Sequence, residues 1–287
     1  MLEGIFLINK PKGITSHDVV WKIKKKFNLK KVGHTGTLDP FAEGLLIILV
    51  NKATKVAFLF EKLDKKYEGE IIFNKNYDTL DITGKLIKEK RNNILNYEKV
   101  KKSFDFFNEK EYLQIPPMYS AIKLNGLKMY DLARKNININ IPPRKVKIHY
   151  LKINSNLENN KINFITKVSK GTYIRSLARD IGEKINTYGA LKNLVRLKIG
   201  KYSIKNSKTI NKITENDLIN IKNLFSNYKK IFLNDYLIKL VKNGIFLDQR
   251  QIITNKSFIV LDNNNNWVAY YKPIEKNKYE YRPILFF

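Results

Sequence analysis

The sequence contains no cysteine and only three histidines in 287 residues. Without cysteine the chain can form neither disulfides nor a thiolate metal site, and three scattered histidines (His17, His34 and His149) do not indicate a metal centre. No apolar run approaches the roughly 20 residues that a membrane-spanning helix needs. Residues 1–6 include neither a basic segment nor a long apolar one, so we expect no secretory signal and a cytoplasmic protein.

Acidic residues are also scarce, at 26 against 54 basic residues, which gives a net charge of +28 at pH 7. This excess favours a polyanionic partner such as RNA or DNA, because binding releases the counterions of the nucleic acid. The chain is also rich in lysine, asparagine and isoleucine, a composition that an AT-rich genome produces without selection for binding. Only eight of the 54 basic residues are arginines. An AT-rich composition therefore explains an arginine at a given position less well than it explains a lysine.

The most informative stretch is Gly-His-Thr-Gly-Thr-Leu-Asp-Pro at residues 33–40. Its two glycines allow a tight turn, and Pro40 disfavours a helical conformation at Asp39. The apolar run at 45–50 has the length of a buried strand. The pattern therefore predicts a polar loop that carries one carboxylate and is anchored to a rigid core strand, which is typical of an active-site acid.

Two further side chains lie on predicted elements that could reach such a loop. Alternating apolar residues predict a strand over 65–73, with Tyr67 on its buried face. Apolar spacing over 174–181 predicts a helix whose first turn carries Arg175. Taken alone, Tyr67 would be a core residue and Arg175 a surface residue.

Residues 33–55 resemble the catalytic motif of the TruB family of tRNA pseudouridine synthases. Four more segments match this family in the same order: Lys-Pro-Lys-Gly-Ile-Thr-Ser at 10–16, Asp-Thr-Leu-Asp-Ile-Thr-Gly at 78–84, Gln-Ile-Pro-Pro-Met-Tyr-Ser-Ala-Ile-Lys-Leu-Asn-Gly at 114–126, and Gly-Thr-Tyr-Ile-Arg-Ser-Leu at 171–177. Tyr77 departs from the small polar residue expected before the second of these segments, which affects local loop contacts rather than the chemistry.

The resemblance implies an α+β protein with the pseudouridine synthase fold, in which helices flank a mixed β-sheet crossed by a basic RNA-binding cleft. The catalytic domain would span residues 1–230. Short predicted strands in 231–287 suit the small PUA-like RNA-binding domain that ends many bacterial members, and a plain β extension suits them almost as well. Within the catalytic domain, apolar spacing also predicts helices over 53–63 and 214–225.

The activity implied is isomerisation of uridine to pseudouridine at conventional position 55, in the T loop of tRNA. Asp39 would be the reacting carboxylate, either adding to the sugar or abstracting a proton from it, and Arg175 would hold it charged and aimed. Tyr67 would stack on the flipped uracil and offer a hydroxyl for proton transfer. The resemblance implies no cofactor, because the reaction is redox-neutral. It also implies a monomer that acts without an obligatory protein partner.

Three residues would bind the substrate in this interpretation. Leu194 would pack against the other side of the uracil, and His34 would stack into the gap that the flipped base leaves in the RNA loop. Lys10, together with the lysine-rich helix after it, would meet phosphates and position the RNA without reading its sequence.

Three alternatives come from other classes of function. The first is a tRNA-binding folding chaperone on the same fold, although intact Asp39, Tyr67 and Arg175 argue against a loss of activity. The second is a pseudouridine synthase that acts on another RNA with a guide RNA and partner proteins, which the absence of long extensions disfavours. The third is a basic DNA-binding protein, for which the sequence contains no helix-turn-helix or zinc signature.

Overall fold

The computed structural model describes residues 2–91, 93–120, 123–124, 127–134, 137, 139–274 and 277–287. Within these residues the secondary structure comprises 19 strands and six α-helices. Most of the strands belong to a ten-stranded or a five-stranded sheet. The predicted Asn125–Gly126 turn lies outside the described residues. In the part of the chain that the structure describes, no helix is long and apolar enough to cross a membrane.

The first 220 residues supply the large sheet and its hairpins. Their strands are β1 (Gly4–Lys10), β2 (Val32–His34), β3 (Glu43–Val50), β4 (Lys65–Phe73), β5 (Lys75–Tyr77), β6 (Leu86–Glu89), β7 (Glu111–Gln114), β8 (Lys123–Leu124), β9 (Leu127–Lys128), β10 (Arg144–Ile153), β11 (Lys161–Val168), β12 (Gly189–Ile199), β13 (Tyr202–Ser203) and β14 (Ile219–Asn220). Their α-helices are α1 (Ser16–Lys26), α2 (Phe58–Glu61), α3 (Tyr97–Phe107), α4 (Met129–Arg134) and α5 (Ile174–Lys184).

The large sheet has the strand order β14-β1-β3-β12-β4-β11-β10-β7, with β2 paired to β3 and β13 to β12. All its strand pairs are antiparallel except β3 with β12, which are parallel and have Gly44 in register with Arg196. Gly44 has a φ of +108°, and a Cβ atom there would lie 2.5 Å from the carbonyl oxygen of Arg196. A glycine is therefore needed where the strand after the Asp39 loop meets β12.

All three long helices of this region cover the same face of the large sheet. Gly44 is in register with Arg196 and Arg196 with Tyr67, so alternate residues of β3, β12 and β4 point to one side. On that side Leu46 packs under α1, whereas Tyr67 and Leu194 belong to the core under α3 and α5. The loop that carries Asp39 lies between these two groups of helices.

The opposite face of the large sheet packs against the C-terminal sheet. This region contains β15 (Lys229–Phe232), α6 (Asp235–Lys242), β16 (Leu247–Asp248), β17 (Phe258–Leu261), β18 (Trp267–Ile274) and β19 (Asn277–Phe286), with strand order β15-β17-β18-β19-β16. Ile259 and Tyr270 share a core with Leu7 and Ile47 of the large sheet. The predicted mixed sheet with flanking helices and a β-rich C-terminal region is confirmed; the PUA-like character of that region stays a prediction.

Two predicted helices are wrong. Residues 53–63 lie in a 3₁₀ segment, Asn51–Val56, followed by the single turn of α2. Residues 214–225 form the 3₁₀ segments Glu215–Asp217 and Ile221–Phe225, with β14 between them. In the second case residues 219–220 pair with Gly4 and Ile5 of β1. This tertiary pairing overrides the helical preference of the local sequence.

Candidate active site

Asp39 lies in the loop between β2 and β3, and the backbone on both sides of it is fixed. The Ser16 hydroxyl, at the start of α1, accepts a hydrogen bond from Leu38 N at 2.8 Å and donates one to Leu38 O at 3.1 Å. Beyond Asp39, Ala42 N donates to the Asp39 carbonyl at 3.1 Å. These bonds hold the carboxylate in one place above the sheet, as the sequence predicted for a loop anchored to a core strand.

Arg175 pairs with Asp39 from the first turn of α5. Its Nη2 donates to Asp39 Oδ1 at 3.0 Å, and its Nε lies 2.9 Å from Asp39 Oδ2. Both carboxylate oxygens therefore face the guanidinium, which is the geometry that arginine provides and lysine cannot. The Arg175 side chain is 5% exposed and that of Asp39 is 33% exposed. A molecule in solution can therefore reach the carboxylate but not the guanidinium.

The same guanidinium joins two more chain segments to the site. Nη1 donates to Thr79 O at 2.8 Å, and Nη2 donates to Tyr119 O at 2.8 Å. Nη1 also lies 3.6 Å from Oδ2 of Asp81, a buried carboxylate that accepts a hydrogen bond from Thr83 N at 3.0 Å. We did not identify Asp81 as a site residue from the sequence, although it belongs to the Asp-Thr-Leu-Asp-Ile-Thr-Gly segment.

Opposing effects act on the charge of Asp39. Burial raises the pKa of the Asp39 carboxyl above its ordinary value, and the Asp81 carboxylate acts in the same direction. The Arg175 guanidinium opposes this shift most strongly, and the Lys10 ammonium adds to the opposition. Arg175 is thus the main interaction that favours the ionised form of Asp39.

Tyr67 and Leu194 belong to the apolar cluster that includes Leu38 and Ile174, the chain neighbours of Asp39 and Arg175. Leu194 on β12 is in register with Gly69 on β4, two residues from Tyr67, so both side chains point toward the same face of the sheet. Both are buried in this cluster. A Cβ atom at Gly69 would lie 2.7 Å from the Asn193 carbonyl, so glycine allows the two strands to approach here.

Lys10 occupies a different position from the one that phosphate binding requires. Its side chain is fully buried. Its Nζ donates to Pro11 O and Ile14 O, both at 2.8 Å, and lies 3.5 Å from Pro40 O, directly after Asp39. Burial lowers the pKa of Lys10 to about 8. The predicted contact with phosphate does not fit this placement, because the ammonium faces the inside of the loop; Lys10 braces the loop instead.

Arg196 is a second buried cation beneath the loop, and no sequence pattern selected it as a site residue. Its side chain, 1% exposed, donates from Nε to Leu45 O at 2.8 Å and from Nη2 to Gly36 O at 3.1 Å. A longer bond at 3.3 Å joins Nη1 to Thr37 O. These carbonyls lie on both sides of Asp39 in the chain. Arg196 therefore connects the loop to β12 without any carboxylate partner among the described residues.

His34 lies at the end of β2, where the loop begins, and is half-buried. Burial lowers the pKa of His34, and the charges of Arg196 and His17 lower it further. The imidazole is therefore favoured in its neutral form. Its Nδ1 is buried, without a hydrogen-bond partner among the described residues.

The structure thus brings together four of the six predicted site residues: Asp39, Arg175, Tyr67 and Leu194. The arrangement presents a fixed carboxylate, backed by a buried guanidinium, at the edge of an apolar cluster to which Tyr67 contributes an aromatic ring and Leu194 an aliphatic chain. A carboxylate in this setting can attack an electrophilic carbon or accept a proton. The apolar cluster suits a planar ring. The roles themselves stay predictions.

Comparisons with known proteins agree on one family. The model described as "TruB family pseudouridylate synthase (N terminal domain)" matches residues 24–174. The protein named tRNA pseudouridine synthase B from Onion yellows phytoplasma (strain OY-M) is 58% identical over 278 residues, covering 97% of this chain and 98% of that protein. The protein of the same name from Acholeplasma laidlawii (strain PG-8A) is 54% identical over 272 residues, covering 95% and 96%.

Solved structures show the same fold at lower sequence identity. A chain from the crystal structure of a Cbf5-Nop10-Gar1 complex superposes with a TM-score of 0.67 at 23% identity, covering 95% of this chain and 79% of that one. A chain from the structure of an H/ACA RNP bound to a substrate RNA containing 2′-deoxyuridine gives a TM-score of 0.65 at 22% identity, covering 94% and 78%.

Proposed function

The chain belongs to the TruB family of pseudouridylate synthases, and from this premise we propose that it converts the uridine at position 55, in the T loop of tRNA, to pseudouridine. Uridine isomerisation in tRNA is the activity of its named relatives. The observation that carries the proposal is the Asp39–Arg175 pair beside Tyr67 and Leu194. The T loop is the more specific part of the proposal and rests on the family resemblance.

The reaction exchanges a carbon–nitrogen bond for a carbon–carbon bond within one nucleotide. The bond between C1′ of the ribose and N1 of uracil breaks, the ring turns over, and C1′ bonds to C5. C5 loses one hydrogen and N1 gains one, so the formula is unchanged and no oxidant or reductant is needed. In either route considered for Asp39, addition to the sugar or removal of a sugar proton, the carboxylate must start ionised, and this is the form that Arg175 favours.

We propose a place for each residue in this reaction. A uracil stacked inside an RNA loop is out of reach of the Asp39 carboxylate, so the nucleotide must be flipped into the site. Tyr67 would then stack on one side of the ring and Leu194 would pack against the other. Arg175, buried behind Asp39, is a positioning residue that would not touch the uridine.

The C-terminal region, residues 231–287 in our domain division, would add contacts to the same tRNA. Support comes from a cavity of about 390 Å³ whose lining joins Lys256 of this region to Tyr228 and Lys229, which directly precede it; both lysines are exposed. Lysines beside an aromatic ring suit an RNA backbone with an adjacent base. We propose that this region acts as a PUA-like RNA-binding domain and that the protein works as a monomer.

The decisive experiment maps pseudouridine in unmodified tRNA after incubation with the purified protein. We expect one new pseudouridine, in the T loop, and none with Asp39→Asn, which keeps the side-chain size but removes the charge. Binding of tRNA should survive in that variant. Asp105→Asn, on the exposed face of α3, is the matched control and should keep full activity.

Each other outcome points to a different error. Turnover by Asp39→Asn would remove Asp39 from its role. A pseudouridine outside the T loop would contradict the proposed position while leaving the reaction class intact. Tight tRNA binding without any pseudouridine would favour the folding-chaperone alternative, or a different RNA substrate.

A further inference from the structure

Helix α1 buries one face and leaves a tryptophan on the other. Its buried residues are Ser16, Val19, Val20 and Ile23. Trp21 is 57% exposed, although tryptophan is usually well covered in folded proteins. The exposed ring lies on a regular helix that is held firmly against the sheet.

The surroundings of Trp21 are strongly cationic. Lys22, Lys24 and Lys25 are exposed on the same helix, and the Lys25 ammonium lies 5.3 Å from the centroid of the Trp21 ring. The one acidic residue of α1, Asp18, is engaged in the helix cap, accepting bonds from Thr15 N at 2.8 Å and from its hydroxyl at 2.7 Å. An exposed aromatic ring among lysines is the composition of surfaces that bind unpaired nucleotides by stacking and charge.

The helix starts at the candidate active site. Ser16, its first residue, is hydrogen-bonded to Leu38, next to Asp39. With a rise of 1.5 Å per residue, Trp21 lies roughly 7.5 Å from Ser16 along the helix axis. A nucleotide close to the one held at Asp39 could therefore reach Trp21.

Trp21 lies about 140° around the axis from Ser16, on the exposed side of α1 and away from Lys26. At about 100° per residue, Trp21 lies about 40° from His17 around the axis and about 140° from Lys26. Lys26 donates to Ile210 O at 2.9 Å and to a neighbouring carbonyl at 2.8 Å, so its flank faces away, toward residues 210–211. His17 is close enough to His34, where the loop begins, for its charge to lower the pKa of that imidazole.

We infer that Trp21 stacks on an unpaired nucleotide of the tRNA T loop, near the uridine that enters the site, while Lys24 and Lys25 face the adjoining phosphates. The inference rests on the proposed function, since it assumes the same RNA substrate. It extends that function from the reaction site to a specific contact on the rim beside it. Stacking of this kind adds affinity without reading a base sequence.

The first test measures tRNA affinity in the Asp39→Asn background, which stops turnover, at one fixed salt concentration. Trp21→Ala should weaken binding roughly 5- to 100-fold, and Trp21→Phe should restore most of the affinity because phenylalanine also stacks. Ile94→Ala is the matched control: Ile94 is 95% exposed and lies outside α1, so affinity should not change. Thermal melting of each variant separates a binding loss from unfolding, and Trp21→Phe gives the decisive comparison if Trp21→Ala does not fold.

The same loss is expected with an isolated T stem–loop hairpin, because the contacted nucleotide belongs to that loop. The second test uses fluorescence. The chain contains two tryptophans, so Trp267→Phe leaves Trp21 as the only tryptophan, which can be excited selectively over tyrosine. Stacking on a base should quench this emission as tRNA is added, and the quenching should saturate at the measured affinity.

Unchanged affinity in Trp21→Ala together with unquenched emission would overturn the inference. A loss seen with full tRNA but not with the hairpin would also overturn it, since the contact would then lie outside the T loop. Failure of the proposed function gives a different result: quenched Trp21 emission and tight binding, with no pseudouridine formed by the unmutated protein.

Discussion

Arg175 shows why residue identity matters more than charge at this site. Its planar fork contacts both oxygens of Asp39 and also donates to the carbonyls of Thr79 and Tyr119. An ammonium group cannot cover these acceptors at once. We therefore expect Arg175→Lys to reduce the single-turnover rate about 100-fold or more, because misplacement of a reacting group by about 1 Å costs about that much. Affinity for tRNA should stay nearly unchanged.

The same variant should change the pH dependence. Burial raises the pKa of Asp39 and Arg175 opposes that shift. Lysine keeps the positive charge but loses the hydrogen bond that also lowers the pKa of Asp39, so that pKa rises further and the carboxylate becomes protonated at a higher pH as acid is added. The acid limb of the rate profile should therefore move to higher pH. Arg179→Lys, one turn along α5 and bonded to Asp180 rather than Asp39, is the control. A slower rate with an unmoved limb would mean that Arg175 acts through geometry alone.

At the residue scale the sequence predicted which side chains meet, but not what supports them. The resemblance pointed to Asp39 and Arg175, and the structure places them in contact. It did not reveal that Lys10 is buried or that Arg196 holds the loop. Both cations bond to backbone carbonyls, and the carbonyls that Arg196 binds lie about 150 residues away in the chain. A hydrogen bond to a carbonyl leaves no residue pattern in the sequence, so neither role could be predicted.

At the scale of elements, the loop of Asp39 is held between a strand and a helix by side-chain hydrogen bonds. Arg196 on β12 binds the carbonyls of Gly36 and Leu45, and Ser16 of α1 binds Leu38. We expect Arg196→Lys, which keeps the charge but loses the fork, to lower kcat about 10- to 100-fold with little change in KM. A loss confined to kcat identifies a positioning effect.

Stability has to be measured beside these rates, because a buried arginine also stabilises the fold. Arg196→Lys leaves at least one loop carbonyl without its donor, which costs about 1–3 kcal/mol. Melting curves should show this loss, and the rates belong at a temperature where the variant is fully folded. Lys198→Gln, an exposed change on the same strand, is the control. Normal kcat in a folded but less stable Arg196→Lys protein would reduce Arg196 to a structural role.

Strands were predicted better than short helices, for a physical reason. The predicted strand over 65–73 matches β4, and the helix predicted from apolar spacing over 174–181 lies within α5. Residues 53–63 and 214–225 have helical spacing, but segments of about this length, α1, α3 and α5 included, are helical only where tertiary packing favours it. Their backbone follows the tertiary contacts instead: Ile221 and Phe225 turn into the core between the two sheets.

At the scale of the whole molecule, that shared core changes how the C-terminal region can be studied. Ile259, Leu261 and Tyr270 pack directly against strands of the large sheet. A chain ending at residue 230 would expose apolar side chains of β1 and β3, and we expect it to be unstable and prone to aggregation. Weak tRNA binding by such a truncated protein would therefore say nothing about whether the region contacts RNA.

Surface charges give a cleaner test of the C-terminal region. Lys229 and Lys256 are exposed at the cavity near Tyr228, far along the chain from Asp39. If each meets a phosphate, changing both to glutamine should weaken tRNA binding several-fold at moderate salt. It should also reduce the slope of log affinity against log salt by about 1.4 to 1.8, since each of the two phosphate contacts contributes about 0.7 to 0.9. Single-turnover rates at saturating protein should be unchanged.

The control changes Lys101 and Lys102 of α3, which removes the same charge elsewhere. An equal loss of slope in both pairs would mean that tRNA responds only to the net charge of +28 and that the C-terminal region makes no contact of its own.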